Sequence, residues 1–150
     1  MKKMFVIITV MFLVSCSAFG SSTLEFFTDK EEAIRQGIKA EGLKKEDILG
    51  EILENGEIFV FYKKNLEDGL GVGVSSIYKK NDKYSWYDSE QDVVIQGNNH
   101  NFDVNWILNT KTGNQYKIYV GMADSKDIPE GISPIIDQKT GIYYHVESLQ

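Results

Sequence analysis

With 22 acidic against 16 basic side chains in 150 residues, the chain carries a net charge of −6, a balance opposed to a phosphate-neutralising nucleic-acid surface and to docking on anionic lipid heads by charge. One cysteine, Cys16, excludes an intramolecular disulfide framework and a cysteine-built zinc site. The 42% of hydrophobic residues suffices for one packed domain.

Lys2 and Lys3 precede an eleven-residue apolar run, Met4 to Val14, that ends in the small residues Ser15, Cys16, Ser17 and Ala18. This order of charge, apolar core and small residues is that of a secretory signal peptide. The run is too short to cross a bilayer, which takes about 20 apolar residues in a helix. Leu13-Val14-Ser15-Cys16 resembles the lipobox of bacterial lipoproteins, in which aliphatic and small residues lead to an invariant cysteine. The resemblance covers residues 1 to 16. It implies a lipidated Cys16 thiol, cleavage of the Ser15-Cys16 bond and attachment to the extracytoplasmic face of the cell membrane by acyl chains such as palmitate. One acyl chain binds reversibly, at about 0.8 kcal/mol per buried CH₂, whereas two hold a protein stably. The plainer alternative is an ordinary leader cut after Ala18 or Gly20, with Cys16 discarded. Fifteen lysines against the single Arg35 fit an A+T-rich genome and, with the lipobox, a Gram-positive bacterium.

The expected organisation is a signal peptide at 1–15, a lipidated N-terminus and short tether at 16–23, and a single domain at 24–150, divisible into sub-lobes 24–89 and 90–150. Loss of Lys2 and Lys3 leaves 14 basic residues against 22 acidic, a net −8. The seven residues Ser17 to Thr23 span about 15 Å as a flexible chain, so the domain would ride close to the bilayer.

Thr28-Asp29-Lys30-Glu31 has the form of a capping box with Thr28 as N-cap. Ala33, Ile34 and Ile38 follow at helical spacing up to Gly42. Ile48, Leu49, Ile52 and Leu53 fit helix or strand alone, but Asn55-Gly56 before Glu57-Ile58-Phe59-Val60-Phe61-Tyr62 predicts strand, type I′ turn, strand. A second hairpin is expected at Lys80-Asn81-Asp82-Lys83 and a short strand at Val93 to Ile95. Phe102, Val104, Trp106 and Leu108 alternate with polar residues, turn through Thr110 to Asn114 and return as Tyr116 to Val120. Asp124 to Lys139 reads as a long loop and Ile142 to Glu147 as a last strand. The fold class expected is α+β: an N-terminal amphipathic helix packed on a mostly antiparallel sheet, with further hairpins in the C-terminal half.

Motifs that would carry chemistry are weak. The glycines of Gly69-Leu70-Gly71-Val72-Gly73 alternate with aliphatic residues as in a strand, whereas a phosphate loop opens a helix. Asp88, Glu90 and Asp92 alternate, but Val93 and Asn99 stand where a calcium loop of the EF-hand kind has glycine and glutamate, so they read as a solvated acidic connection. His100 falls in a polar turn and His145 on an outward strand position, with no ligand spacing between them. No Gly-x-Ser-x-Gly or His-Glu-x-x-His motif occurs. No catalytic residue, metal site or cofactor is therefore assigned. Tyr84, Trp86 and Tyr87 are the aromatic cluster best suited to a ligand platform. The function expected is a non-enzymatic, lipid-anchored accessory or binding protein of the bacterial cell envelope. Its partners would be the membrane, through Cys16, and an envelope protein or cell-wall polymer, without nucleic acid. The alternative is a small cell-envelope hydrolase or an inhibitor of one.

Overall fold

The computed structural model describes residues 24–66, 69–96, 102–123 and 128–149, with backbone alone at 89–92 and 94–96. The leader, Cys16, the tether and His100 lie outside the described residues. Among the described residues one α-helix, α1 (Lys30–Ala40), is followed by a 3₁₀ turn (Lys45–Asp47) and eight strands: β1 (Ile48–Glu54), β2 (Glu57–Leu66), β3 (Gly69–Lys80), β4 (Lys83–Gln96), β5 (Asp103–Asn109), β6 (Gln115–Met122), β7 (Ile135–Ile136) and β8 (Ile142–Leu149). They form two antiparallel four-stranded sheets, in the orders β1-β2-β3-β4 and β5-β6-β8-β7.

Turn chemistry sets the first sheet. Asn55 and Gly56 have φ of 48° and 81°, the pair of positive values a type I′ turn requires, and join β1 to β2. Asn81 and Asp82, at 51° and 57°, make the same kind of turn between β3 and β4 without glycine, because asparagine and aspartate tolerate the left-handed region. Asp29 caps α1, its side chain accepting from the Glu31 amide, so the helix begins one residue later than a Thr28 cap would start it.

In β2 and β3 the first sheet is buried on both faces. Phe59, Phe61, Val72 and Val74 point toward the second sheet, where Leu108, Tyr116, Ile118, Val120, Ile142, Tyr144 and Val146 meet them in one core. On its other face Val60 and Ile77 pack against Ile34 of the helix. The strict alternation of a strand thus explains why Ile58 to Tyr62 is apolar throughout: successive side chains enter different layers. At one end, the Glu57 carboxylate beside the first turn accepts hydrogen bonds from Thr110 at 3.1 Å, Asn114 at 2.8 Å and Thr112, all in the β5–β6 turn. At the other strand edge, the Tyr144 hydroxyl donates to the Leu49 carbonyl at 3.1 Å.

This architecture overturns the α+β expectation. The described residues are mostly β, two stacked sheets with one short helix, and that helix lies at Lys30–Ala40 and not at the N-terminus. Three of its residues, Ala33, Ile34 and Gly37, are buried, so it covers one face of a sheet and does not supply half of the core. The second discrepancy is at Asp88, Glu90 and Asp92. The stretch read as an acidic connection runs on as strand, and the separate strand at Val93 to Ile95 is the end of the 14-residue β4. An edge strand has one unpaired side and accommodates charge, which also guards it against pairing with other chains. A bulge falls there: Gly73 pairs with Asp92 and Ser75 with Asp88, so three residues of β4 face Val74. The 89/90 division lies inside β4, and within the expected loop Asp124 to Lys139 the chain forms the two-residue β7.

Candidate functional site

The aromatic platform is dispersed by the pleat. Trp86 lies opposite Ile77 on the helix side of the first sheet, 6.1 Å from the Tyr62 ring and nearly parallel to it. Tyr84 is on that side too, bridged through its backbone to Phe27, with the Lys79 ammonium 5.6 Å from its ring. Tyr87, the immediate neighbour of Trp86, projects from the opposite face, where Lys111 stands 5.7 Å from its ring. Adjacent strand residues cannot share a face, so Tyr84, Trp86 and Tyr87 form no common surface.

His145 is on the outer face of the second sheet, beside the Tyr119 ring at 5.9 Å, while Ile142, Tyr144 and Val146 face the core. The Tyr119 hydroxyl donates to Glu147 at 2.8 Å. Tyr143 shares the parity of His145 and Glu147 but is fully buried. Among the described residues no group of three or more histidines, cysteines, aspartates and glutamates is placed to hold a metal ion.

What the fold does build is a groove beside the helix. The close approach of Gly37 to the Trp86 indole sets α1 along β4, at one edge of the first sheet. The flank of the helix turned toward β1 is left uncovered, and a cavity of about 670 Å³ opens between them. Ile34 and Ile38 from α1 and Ile48 from β1 give it apolar walls. Its rim is charged: Asp29, Glu31, Glu32 and Glu51 against Arg35 and Lys45, with Lys30 beside them. Arg35 is engaged by Glu32, whose carboxylate also accepts from Gln36 at 2.7 Å. Lys30 is shared, 3.1 Å from Glu31 and 2.9 Å from Glu51, so two carboxylates stand on one ammonium. The hydrogen bond to Glu51 holds the Lys30 ammonium above its ordinary range, against desolvation and with help from Glu31. Sequence periodicity identifies Ile34 and Ile38 as the apolar face of a helix. Only the lateral position of that helix, set by Gly37 and Trp86, makes them the wall of a groove.

A second charged cluster involves Asp88, the one member of the acidic trio whose side chain is described. Glu41, the C-cap of α1, lies 3.1 Å from Lys64 of β2 and close to Asp88 of β4, and the Lys64 ammonium is 5.2 Å from the Tyr62 ring. Burial pushes the Glu41 carboxyl above its ordinary range; the Lys64 hydrogen bond opposes this and the Asp88 charge adds to it. A carboxyl raised in the folded state favours folding while protonated, and that contribution fades as pH climbs through its folded pKa. Glu41→Gln is therefore expected to gain stability relative to the parent as pH rises from about 4 to 7. Paired thermal melts of the two proteins across that range check it; a stability difference, variant minus parent, that stays constant or falls as pH rises would show that Glu41 is comfortably ionised where it sits.

Comparison of the chain with protein-family models, with curated proteins and with solved structures finds no match.

Proposed function

We propose that this protein is a lipid-anchored, non-enzymatic binding or accessory protein on the extracytoplasmic face of a bacterial cell membrane. The observation that carries the reading is Leu13-Val14-Ser15-Cys16, placed directly after a cationic start and an apolar core of signal-peptide length. Leu24, where the described fold begins, follows Cys16 by eight residues, which keeps the domain within a short tether of the bilayer. With a net charge of −8 after loss of the leader, the surface would be repelled by anionic lipid heads, so the acyl anchor and not electrostatics does the holding. The open apolar groove between α1 and β1 is shaped to receive a partner.

Growth with a clickable palmitate analogue tests the anchor. The wild-type chain is expected to take up label, to fractionate with membranes and to begin at Cys16. Cys16→Ala is expected to lose the label and to accumulate as an unprocessed or misprocessed precursor. Equal labelling of the two proteins would end the lipoprotein reading.

A further inference from the structure

We infer that the groove between α1 and β1 receives an extended peptide segment of a partner protein, one in which a lysine or arginine stands among aliphatic side chains. This rests on the reading of the chain as a binding protein and names its site and the chemistry of what it binds. Three observations converge on it. The first is shape: Ile34, Ile38 and Ile48 wall an open cavity of about 670 Å³, a size that suits several side chains and not a single ion. The second is the sheet edge. β1 is the outermost strand of the first sheet and pairs only with β2 among the described residues; beyond the Leu49 carbonyl, which accepts from Tyr144, that edge offers backbone groups to an added strand. A segment laid along that edge turns every second side chain to the helix side, where the groove lies.

The third observation is charge, and it decides the kind of segment. Four carboxylates on the rim (Asp29, Glu31, Glu32 and Glu51) stand against Arg35, Lys45 and the neighbouring Lys30, and Glu31 and Glu51 both fall on Lys30, which leaves one carboxylate in excess beside the apolar walls. An incoming cation completes that pair, whereas an incoming carboxylate is repelled. Aliphatic residues on the same face of the segment then cover the half-buried Ile38 and Ile48. The acidic character of the whole chain steers the same class of partner toward it.

The test uses the full chain, isotopically labelled and held in a neutral detergent, titrated with a capped peptide of alternating threonine and valine carrying one central lysine. The control is the same peptide with glutamate in place of lysine. The lysine peptide is expected to bind about tenfold more tightly or better, to weaken as salt is raised, and to shift the amide signals of β1 and of Ile34 and Ile38. Glu51→Lys is expected to reverse the preference between the two peptides, and Glu31→Lys serves if that variant fails to fold. Equal binding of both peptides, or shifts confined to the second sheet, would overturn the inference. So would a concentration-dependent dimer or adsorption to phosphatidylcholine vesicles that blocks the lysine peptide, since another occupant would then own the groove. Because palmitate labelling reads Cys16 and the titration reads β1, failure of one leaves the other standing.

Discussion

Phe61→Ala is expected to remove about 3–5 kcal/mol from the unfolding free energy, the largest loss of any single side chain considered, because truncating a fully buried aromatic forfeits both its transfer energy and the contacts around the void. Phe61 is 0% exposed, at the centre of the interface between the sheets, with its ring 4.6 Å from that of Tyr144 and only 29° from parallel. Its loss would also loosen Tyr144, whose hydroxyl reaches the Leu49 carbonyl. Single domains hold about 5–15 kcal/mol in total, so the variant would sit near the limit of folding. Urea titration of both proteins measures it. Phe26→Ala is the control: Phe26 is 36% exposed, touches Tyr78 edge-on at 5.9 Å, and should cost a small fraction as much. Comparable midpoints for the two variants would mean that the sheets are not stacked through Phe61.

Gly37→Leu should destabilise by about 1–3 kcal/mol, even though leucine is the better helix former by nearly 1 kcal/mol on an open surface. The opposing effect is steric. A Cβ at position 37 would overlap the indole of Trp86, which is itself backed by Tyr62 and cannot retreat without disturbing the sheet. The helix would lift from β4 and open Val60 and Ile77 to water. Tryptophan emission should shift to the red as Trp86 becomes hydrated, along with a lower denaturation midpoint. An unchanged spectrum and midpoint would show that α1 does not rest on Trp86, and the groove defined by that contact would go with it.

The parts of the fold legible from the chain are those fixed by neighbours in sequence. Asn55-Gly56 announced a type I′ turn because few other residue pairs take two positive φ values, and the alternation of Phe102, Val104, Trp106 and Leu108 matched β5 and the residue leading into it. The helix was readable from its acidic first turn, to within one residue at its cap. Layering was not readable. An alternating strand looks the same whether its inner face meets a helix or a second sheet, so the single sheet expected proved to be two. Charge also misled at Asp88 to Asp92, where carboxylates on an edge strand imitate a loop. The platform failed for a simpler reason: Trp86 and Tyr87 are consecutive, and grouping them ignored the pleat. The groove escaped notice because it depends on how far the helix lies from β1, a distance set by Gly37 meeting a residue 49 positions away.

The bond from Tyr144 to Leu49 joins the last strand of the chain to the first. β1 to β4 form a meander of sequential neighbours that closes through short turns, so the first sheet can assemble early and cheaply. Its inner face stays bare until the second sheet arrives, β6 bringing Tyr116 to Phe59 and β8 bringing Tyr144 to Phe61. The roof over Phe61 thus waits on β8: a chain lacking β8 would keep a whole first sheet yet leave Phe61 without Tyr144, an exposed aromatic by which proteases could tell an unfinished molecule from a finished one.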